Sequence, residues 1–389
     1  MNHKDTKLIH SYKKNNKLTS SIKTEKPPIY QNACFIYDHN LQGEGYTYSR
    51  KANPNRTDLE KKLAILDKAQ YSFALASGTQ AIHAILSLLS SNSHLLISEH
   101  LYSGSHLLID QLVEQYQIEV STITNNQTND IKVIQSKLQQ NTQLIFVESP
   151  SNPTQEAVDI KTLSLIANEK NILLAIDNSL RSSYLYQPLS LGADIAVQSA
   201  AKHLGGHNDL MAGVISVNND ILSEQLNKLI QTYGLGLTAF DSWLLSRSLD
   251  TVGLRMRQQQ HSAQLIANWL KSNKQVNEIY YDGLGSVIAF SLNYTNLTNL
   301  WLEHASSFFN ISRNFGGIHS SLSIPSLMSH QETFNSLKSN NKNLPFSPNL
   351  IRLSVGIEDS SDILSAIKNA FEQLLAQENK MHNKLDFEI

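Results

Sequence analysis

The chain contains a single cysteine, carries almost no net charge and has no long apolar run. One cysteine among 389 residues excludes an intrachain disulfide and is typical of a reducing compartment. A net charge of −2 argues against nucleic acid or an anionic membrane as a partner. No apolar run approaches the ~18 residues of a membrane span, and the polar, basic residues 1–16 do not resemble a signal peptide. These properties predict a soluble, cytoplasmic protein.

The single thiol, Cys34, lies in the sequence Asn-Ala-Cys-Phe, which is apolar on one side and has no adjacent base. This setting predicts a packed thiol, not a nucleophile. The length suits two or three domains. We predict an arm over 1–56, with residues 1–27 extended, a large domain over 57–250 and a smaller α+β domain over 251–389.

Short apolar runs alternate with helical patterns through the first two thirds of the chain, which predicts a mostly parallel, doubly wound α/β sheet. The runs predicted as strands are Ser72–Ala76, Leu95–Ile97, Leu144–Val147, Ile172–Ile176 and Ala193–Val197. Ligands of such sheets bind outside the carboxyl ends of the strands.

Lys202 follows the last of these strands and lies among small residues, with Gly205-Gly206 after it. Partial burial there would lower the pKa of the lysine and give a nucleophilic amine suited to Schiff-base chemistry. A solvated surface lysine is one alternative. Another is a Ser199-x-x-Lys202 acylating pair, but the Lys-Thr-Gly and Ser-Asp-Asn elements of that class do not occur here.

Three other strand ends carry candidate ligand groups. Asp177 needs a cationic partner if it is buried, and a protonated pyridine nitrogen would be one; its alternative is a helix cap. The strand, turn and helix around Gly78 and Thr79 form an anion-binding layout, although similar turns bind nothing. Tyr102 suits stacking on a planar ligand, and packing is its alternative.

Two arginines are candidate anion ligands. Tyr48 and Arg50 alternate in a loop and would together form a phosphate clamp. Arg352, in the predicted strand Ile351–Ile357, would bind a carboxylate through two parallel hydrogen bonds. Solvation at the surface is the alternative for both arginines. No metal site is predicted.

Six segments together resemble the trans-sulfuration (Cys/Met metabolism) family of pyridoxal-phosphate enzymes over about residues 27–372. They read YSRKANPNRTDLE, ASGTQAI, VESPSNP, AIDNS, LGADIAVQSAAKHLGGHND and IRLSVGIED. The resemblance implies a fold-type I transferase that binds pyridoxal 5'-phosphate in the large domain. It also implies a homo-oligomer, usually a tetramer built as a dimer of dimers, with active sites shared between subunits.

The resemblance assigns a role to each matched residue. Lys202 would bind the cofactor as a Schiff base and shuttle protons, while Tyr102 stacks on the ring and Asp177 pairs with the ring nitrogen. The residues implied to hold the cofactor phosphate or ring edge are Ser199, Gly78, Thr79, Asn152 and, from the neighbouring subunit, Tyr48 and Arg50. Arg352 would bind the α-carboxylate of a small amino-acid substrate with help from Asn152 and Ser320.

Four positions depart from the family pattern. Ala201 replaces the threonine that usually precedes the lysine, which removes one hydrogen bond of about 1 kcal/mol. The other three, at the distal end of the substrate, are Thr47 in place of an acid, Leu107 in place of an arginine and His319 in place of a glutamate. A buried leucine cannot pair with a distal carboxylate. The pattern therefore favours methionine, homocysteine or an O-acylhomoserine over cystathionine.

These observations predict a lyase that eliminates a β- or γ-substituent, through a C–S or C–O bond, from a sulfur amino acid or homoserine derivative. A γ-replacement synthase uses the same catalytic residues and is the alternative among enzymes. An idle cofactor-binding assembly module is the alternative from another class.

Overall fold

The computed structural model describes residues 3–15, 24–37, 45–294, 297–339 and 344–385. The chain divides into two compact units. The first comprises Met1–Asn152 and Glu156–Gly253, and the second comprises Pro153–Gln155 and Leu254–Ile389.

The first unit is built on a seven-stranded sheet of order β1-β7-β6-β5-β4-β2-β3. Its strands are β1 (Tyr71–Leu75), β2 (His94–Ser98), β3 (Glu119–Ile123), β4 (Thr142–Glu148), β5 (Leu173–Asp177), β6 (Ile195–Ser199) and β7 (Gly213–Val217). Strand β7 is antiparallel to both of its neighbours, and the pairs from β6 to β3 are parallel. The mostly parallel α/β sheet is therefore confirmed, and each strand predicted for this unit appears within two residues of its expected bounds.

Helices alternate with these strands. In the first unit they are α1 (Lys4–Asn15), α2 (Pro54–Asp67), α3 (Gly78–Leu86), α4 (Ser103–Tyr116), α5 (Ile131–Lys137), α6 (Ile160–Lys170), α7 (Ser182–Leu185), α8 (Asp220–Tyr233) and α9 (Ala239–Leu249). Helix α10 (Val252–Ser272) follows, and then α11 (Thr298–Ala305), α12 (Gln331–Ser339) and α13 (Ser360–Leu385).

The prediction that residues 1–27 are extended was wrong for α1. Leu8 is almost completely buried, and α1 packs against α2. The Asp5 carboxylate lies so close to Gly253 that a Cβ there would stand 2.6 Å from its Oδ1. A polar sequence with one well-buried leucine has thus folded as a helix because a neighbouring helix covers its apolar side.

Strand β4, inside the sheet of the first unit, is apolar on both faces, as strands of parallel sheets commonly are. Leu144 and Phe146 point into one cluster of buried side chains, whereas Ile145 and Val147 point into another. The polar side chains of β4 therefore lie at its ends, and Glu148 at the carboxyl end is part of the candidate site.

The second unit has a five-stranded sheet of order β10-β11-β12-β9-β8. The strands are β8 (Val276–Tyr280), β9 (Val287–Leu292), β10 (Asn310–Ile311), β11 (Ser321–Ser323) and β12 (Ile351–Ser354). Its core centres on Trp301, which lies edge-on to Phe290 and packs against Phe371. Within the described residues, no helix combines the length and the apolar character needed to span a bilayer.

Candidate active site

Two carboxylates lie side by side at the carboxyl edge of the first unit's sheet. Glu148 ends β4 and Asp177 ends β5, and the two residues are paired in register. Both are 6% exposed. The Asp177 Oδ1 accepts a hydrogen bond of 2.9 Å from the Ser179 amide. Burial raises the pKa of Asp177, and hydrogen bonds from Ser179 partly oppose that rise.

Glu148 is a site residue that sequence reasoning missed. Its Oε2 accepts the Tyr102 amide at 2.9 Å, and its Oε1 accepts the Asn152 amide at 3.2 Å. Burial raises the pKa of Glu148 well above its ordinary value, and the nearby charge of Asp177 raises it further. The buried Glu148 carboxyl therefore fixes the backbone of Tyr102 and Asn152, and it lies next to Asp177, the predicted partner of the ring nitrogen. A cation at this edge would be stabilised.

The turn before α3 lies against the end of β6. Ser77 caps α3 by accepting the Gln80 amide at 3.1 Å. A Cβ on Gly78 would lie 3.0 Å from the Ser199 Cβ, and a Cβ on Gly213 would lie 2.2 Å from the Ser77 oxygen. Gly213 therefore requires glycine, and a side chain at Gly78 would be tightly crowded against Ser199. The result is a cradle of first-turn amides with the Thr79 and Ser199 hydroxyls nearby, a donor set that fits a phosphate group.

Ser179 connects the cradle to the carboxylates. Its hydroxyl accepts the Ser199 amide at 2.7 Å, and its own amide binds Asp177. The sequence signal was present, since Ser179 lies in the motif AIDNS, but the role of that serine depends on the spacing of β5 and β6.

Lys202 is half-buried and lies three residues beyond the end of β6. Its turn is closed by hydrogen bonds from the Gly205 amide to the Ala200 oxygen (2.8 Å) and from the Gly206 amide to the Lys202 oxygen (2.7 Å). A Cβ on Gly205 would lie 2.9 Å from the Ala200 oxygen, so glycine permits this closure. The lysine is therefore carried on a tight turn at the same edge of the sheet.

Tyr48 and Arg50 lie side by side, as the alternation predicted. The guanidinium lies over the phenol ring at 5.6 Å, and its Nη1 donates to the Gln231 oxygen at 2.7 Å. Tyr48 is 41% exposed. Cys34 forms an antiparallel bridge with Tyr48 and is exposed. The prediction of a packed thiol was therefore wrong, because the bridge leaves the cysteine on an open surface.

The assumption that Leu107 is buried was also wrong. It lies on α4 with 51% of its surface exposed. Burial of Leu107 is therefore no argument against a substrate with a distal carboxylate. The remaining argument is that Leu107 lacks the positive charge of the arginine it replaces. Thr47 lies next to Tyr48 and is half-buried.

In the second unit, Arg352 is buried on β12 with 1% exposure, so the alternative of a solvated surface arginine was wrong. Its Nη2 donates to the Arg313 oxygen at 2.7 Å, and its guanidinium lies 5.1 Å from the centre of the Phe315 ring. Burial lowers the pKa of Arg352 to about 10, which leaves it cationic at neutral pH. A buried cation of this kind favours an anionic partner.

Ser320 is engaged by a residue that sequence reasoning missed. The Ser320 amide donates to Glu358 Oε1 at 2.5 Å, and the Ser320 hydroxyl donates to Glu358 Oε2 at 2.9 Å. The same hydroxyl accepts the Gly356 amide at 2.9 Å. Adjacent His319 is exposed. Glu358 thus holds the segment that presents His319.

Known proteins resemble this chain over most of its length. The model of the Cys/Met metabolism PLP-dependent enzyme family matches residues 5–372. Cystathionine beta-lyase of Lactococcus lactis subsp. cremoris is 34% identical over 95% of this chain and 98% of its own length. Cystathionine gamma-synthase/O-acetylhomoserine (thiol)-lyase of Bacillus subtilis is 32% identical over 96% and 97%.

A solved structure has a similar fold. Cystathionine gamma-lyase from Lactobacillus plantarum, complexed with L-serine, superposes with a TM-score of 0.88 at 30% identity, covering 96% of this chain and 99% of that one. The fold is that of the fold-type I pyridoxal-phosphate enzymes, and the glycine cradle and the buried carboxylates fit that cofactor. The chain belongs to the Cys/Met metabolism family of pyridoxal-phosphate-dependent enzymes.

Proposed function

We propose that the chain is a lyase that eliminates a β- or γ-substituent from a sulfur amino acid or homoserine derivative, with a keto acid and ammonia as products. The observation that supports this most strongly is the shared sheet edge, where a turn-held Lys202, a buried Asp177 and the Gly78 cradle all lie. A lysine amine, an acid for a ring nitrogen and a phosphate site are what the cofactor requires of a protein.

Pyridoxal phosphate, when bound, supplies an electron sink for a carbanion at the substrate α-carbon. Asp177 would keep a ring nitrogen protonated, since a buried carboxylate gains from a cation beside it. The Lys202 amine would remove the α-proton and return a proton at a later step. Tyr102, whose amide is anchored by Glu148, would stack on the ring and hold it at a fixed height.

Arg352 would bind the α-carboxylate of the substrate, with Asn152 as a further ligand. A guanidinium suits this role because it stays cationic and forms two parallel hydrogen bonds with a carboxylate. Ser320 donates both of its hydrogens to Glu358. We therefore propose that Ser320 fixes the segment that carries His319, and that Arg352 alone supplies the positive charge for the substrate α-carboxylate.

Thr47, Leu107 and His319 favour a substrate with a small or uncharged distal end. We expect L-methionine or O-acetylhomoserine to exceed L-cystathionine in kcat/KM when each is assayed for keto acid. Two relatives bear cystathionine lyase names, so the opposite ranking would reject this inference and leave the reaction class unchanged.

A γ-replacement synthase is the second candidate, because one relative is named cystathionine gamma-synthase/O-acetylhomoserine (thiol)-lyase. Incubation with O-acetylhomoserine and a thiol separates the two reactions. A lyase gives 2-oxobutanoate, whereas a synthase gives a thioether. A protein that binds the cofactor but turns over no substrate in a broad amino-acid panel would instead be an assembly module.

We also propose that the active unit is at least a homodimer, and a tetramer as a dimer of dimers, located in the cytoplasm. Tyr48 and Arg50 would complete the phosphate site of the neighbouring subunit. Tyr48 is exposed, and its segment is held in place by the hydrogen bond from Arg50 to Gln231 of α8. Both observations support this arrangement.

Lys202→Ala tests the assignment directly. We expect loss of turnover and of the visible absorbance of the bound cofactor, because the substitution removes the amine that would bind it. Lys228→Ala, on the exposed side of α8, is the matched control and should keep both properties. Full activity of the Lys202→Ala variant would reject the proposed function.

A further inference from the structure

Arg56 is a buried cation outside the catalytic groups described above. It lies in the first turn of α2 with 5% of its surface exposed. A guanidinium is costly to bury unless its donors are satisfied. Its Nη1 donates to the Leu237 oxygen at 3.1 Å, and its Nη2 donates to the Ser49 oxygen at 3.1 Å and the Arg50 oxygen at 3.4 Å.

The two carbonyls that accept hydrogen bonds from the Arg56 Nη2 belong to the phosphate-clamp segment, which we define as residues 48–50. The same segment is held at the Arg50 side chain, whose Nη1 binds the Gln231 oxygen and whose Cδ would stand 3.4 Å from a Cβ on Gly234. Arg56 therefore holds the backbone of the clamp segment, and the end of α8 holds the Arg50 guanidinium.

The other side of Arg56 is joined to the strand that leads into the glycine cradle. The Leu237 amide donates to the Ala74 oxygen at 2.9 Å, and Gly236 pairs with Leu75. The Ala74 amide donates to Glu60 Oε1 at 3.1 Å, and this oxygen lies 3.9 Å from the Arg56 Nε. The end of β1 is thus in the same network.

The backbone at residue 236 is shaped around the guanidinium. A Cβ on Gly236 would lie 2.6 Å from the Arg56 Nη1 and 2.7 Å from its Cζ. These are contacts to the rigid end of a buried side chain with several partners, so the guanidinium cannot move aside without losing its hydrogen bonds. The close approach therefore requires glycine at this position.

We infer that Arg56 is a positioning residue that sets the clamp segment in its phosphate-binding geometry before the cofactor arrives, in trans, for the cofactor of the neighbouring subunit. The inference rests on the proposed shared site. A clamp already ordered in the free protein avoids an ordering cost on binding, which raises affinity for the phosphate. Lysine cannot replace Arg56, because an ammonium is a single point donor, whereas the guanidinium reaches the Leu237 oxygen from one nitrogen and the Ser49 and Arg50 oxygens from another.

The first test uses Arg56→Lys and two ligands that differ only in the phosphate. We expect the Kd for pyridoxal phosphate to rise about tenfold, the loss of roughly one charge-assisted hydrogen bond, and the Kd for pyridoxal to stay unchanged. Arg247→Lys, an exposed arginine on α9, is the control and should change neither value. Equal weakening of both ligands, or of neither, would overturn the inference.

A second variant, Gly236→Ala, tests the inference independently in case Arg56→Lys fails to fold. Gly236→Ala keeps Arg56 but places a methyl group against its guanidinium, and it should produce the same phosphate-specific loss. The urea midpoint of each variant separates general destabilisation from this effect. A normal Kd for pyridoxal phosphate in a folded Gly236→Ala protein would contradict the inference.

Mixed oligomers test the action in trans. Chains of Arg56→Lys and Lys202→Ala are dissociated, mixed equally, reassociated and assayed at limiting cofactor. If Arg56 serves the neighbouring site, a mixed dimer has one complete site, and activity should rise to about a quarter of the wild-type value. Activity no higher than the mean of the two parents would place Arg56 in cis and overturn the inference. Cofactor absorbance that persists in Lys202→Ala alone would instead reject the proposed function.

Discussion

Ala201 is buried directly before Lys202, at the position where the family resemblance leads us to expect a threonine hydroxyl on the phosphate. Restoring the hydroxyl with Ala201→Thr should add one hydrogen bond of about 1 kcal/mol and lower the Kd for pyridoxal phosphate about fivefold. A fluorescence or absorbance titration of the cofactor-free protein measures this change.

Ala201→Val is the matched control for this substitution, since valine has nearly the shape of threonine without the oxygen. It should leave affinity unchanged or weaken it through crowding. An equal gain in both variants would mean that packing, and not a hydroxyl on the phosphate, sets the effect.

At this scale the sequence predicts candidate ligands at or just beyond strand ends, such as Asp177, Ser199 and Lys202, because the strands themselves are evident from apolar runs. It could not predict Glu148 or Glu358. Each of these carboxylates accepts a backbone amide from a residue about 40 positions away in the chain, Tyr102 for Glu148 and Ser320 for Glu358, so this contact exists only in the folded chain. The exposure of Cys34 was missed for the same reason.

The C-terminal end of α2 is tied to the sheet through a buried acid. Asp67, the last residue of α2, is 1% exposed. Its carboxylate accepts hydrogen bonds from the hydroxyls of Ser183 and Ser216 and, at 3.4 Å, from the side-chain amide of Gln198. Burial raises the pKa of Asp67 to about 6, although the serine hydrogen bonds oppose the rise. The helix is thus fastened by a group whose charge is costly in the folded state.

This element gives a pH-dependent prediction. Because the folded pKa lies above the unfolded value, the carboxylate lowers the free energy of unfolding as pH rises from about 4 to 6, by about 3 kcal/mol in total. Below this window both states hold the proton and there is no difference. Asp67→Asn should therefore gain stability relative to wild type across the window, which urea midpoints at pH 4, 5, 6 and 7 measure.

Asp159 provides a control of opposite sign. It caps α6, and hydrogen bonds led by that from the Thr162 hydroxyl lower the pKa of Asp159. Its carboxylate stabilises the fold above the unfolded pKa, and that contribution is lost as pH falls through the folded pKa. Asp159→Asn should therefore lose stability relative to wild type as pH rises. Parallel pH profiles of Asp67→Asn and wild type would refute the Asp67 argument.

Most elements with a strong apolar pattern were predicted, but β7 (Gly213–Val217) was not, although it is buried along its whole length. Strand β3 was missed because its polar sequence, EVSTI, lies at the sheet edge with little burial. Helix α1 was missed because one leucine and contact with α2 determine it, and a sequence pattern shows neither. In both cases tertiary contact outweighs local periodicity.

At the scale of the whole molecule, the clamp segment links cofactor binding to assembly. If Arg50 completes the neighbouring phosphate site, a separated subunit lacks part of the donor set for its own cofactor. Dilution below the dimer Kd should then release cofactor and activity together, by mass action. Sedimentation, filtration-retained cofactor and initial rates over one dilution series should share a midpoint.

Arg50→Ala sharpens this prediction, because it removes the clamp without diluting the protein. It should bind cofactor weakly at every concentration, and its sedimentation profile should match that of the cofactor-free wild type. Excess pyridoxal phosphate should shift the wild-type midpoint to lower concentration, since a ligand that binds only the assembled state stabilises it. A monomer that keeps both cofactor and full activity would show that each subunit holds the phosphate alone, and the shared site would have to be abandoned.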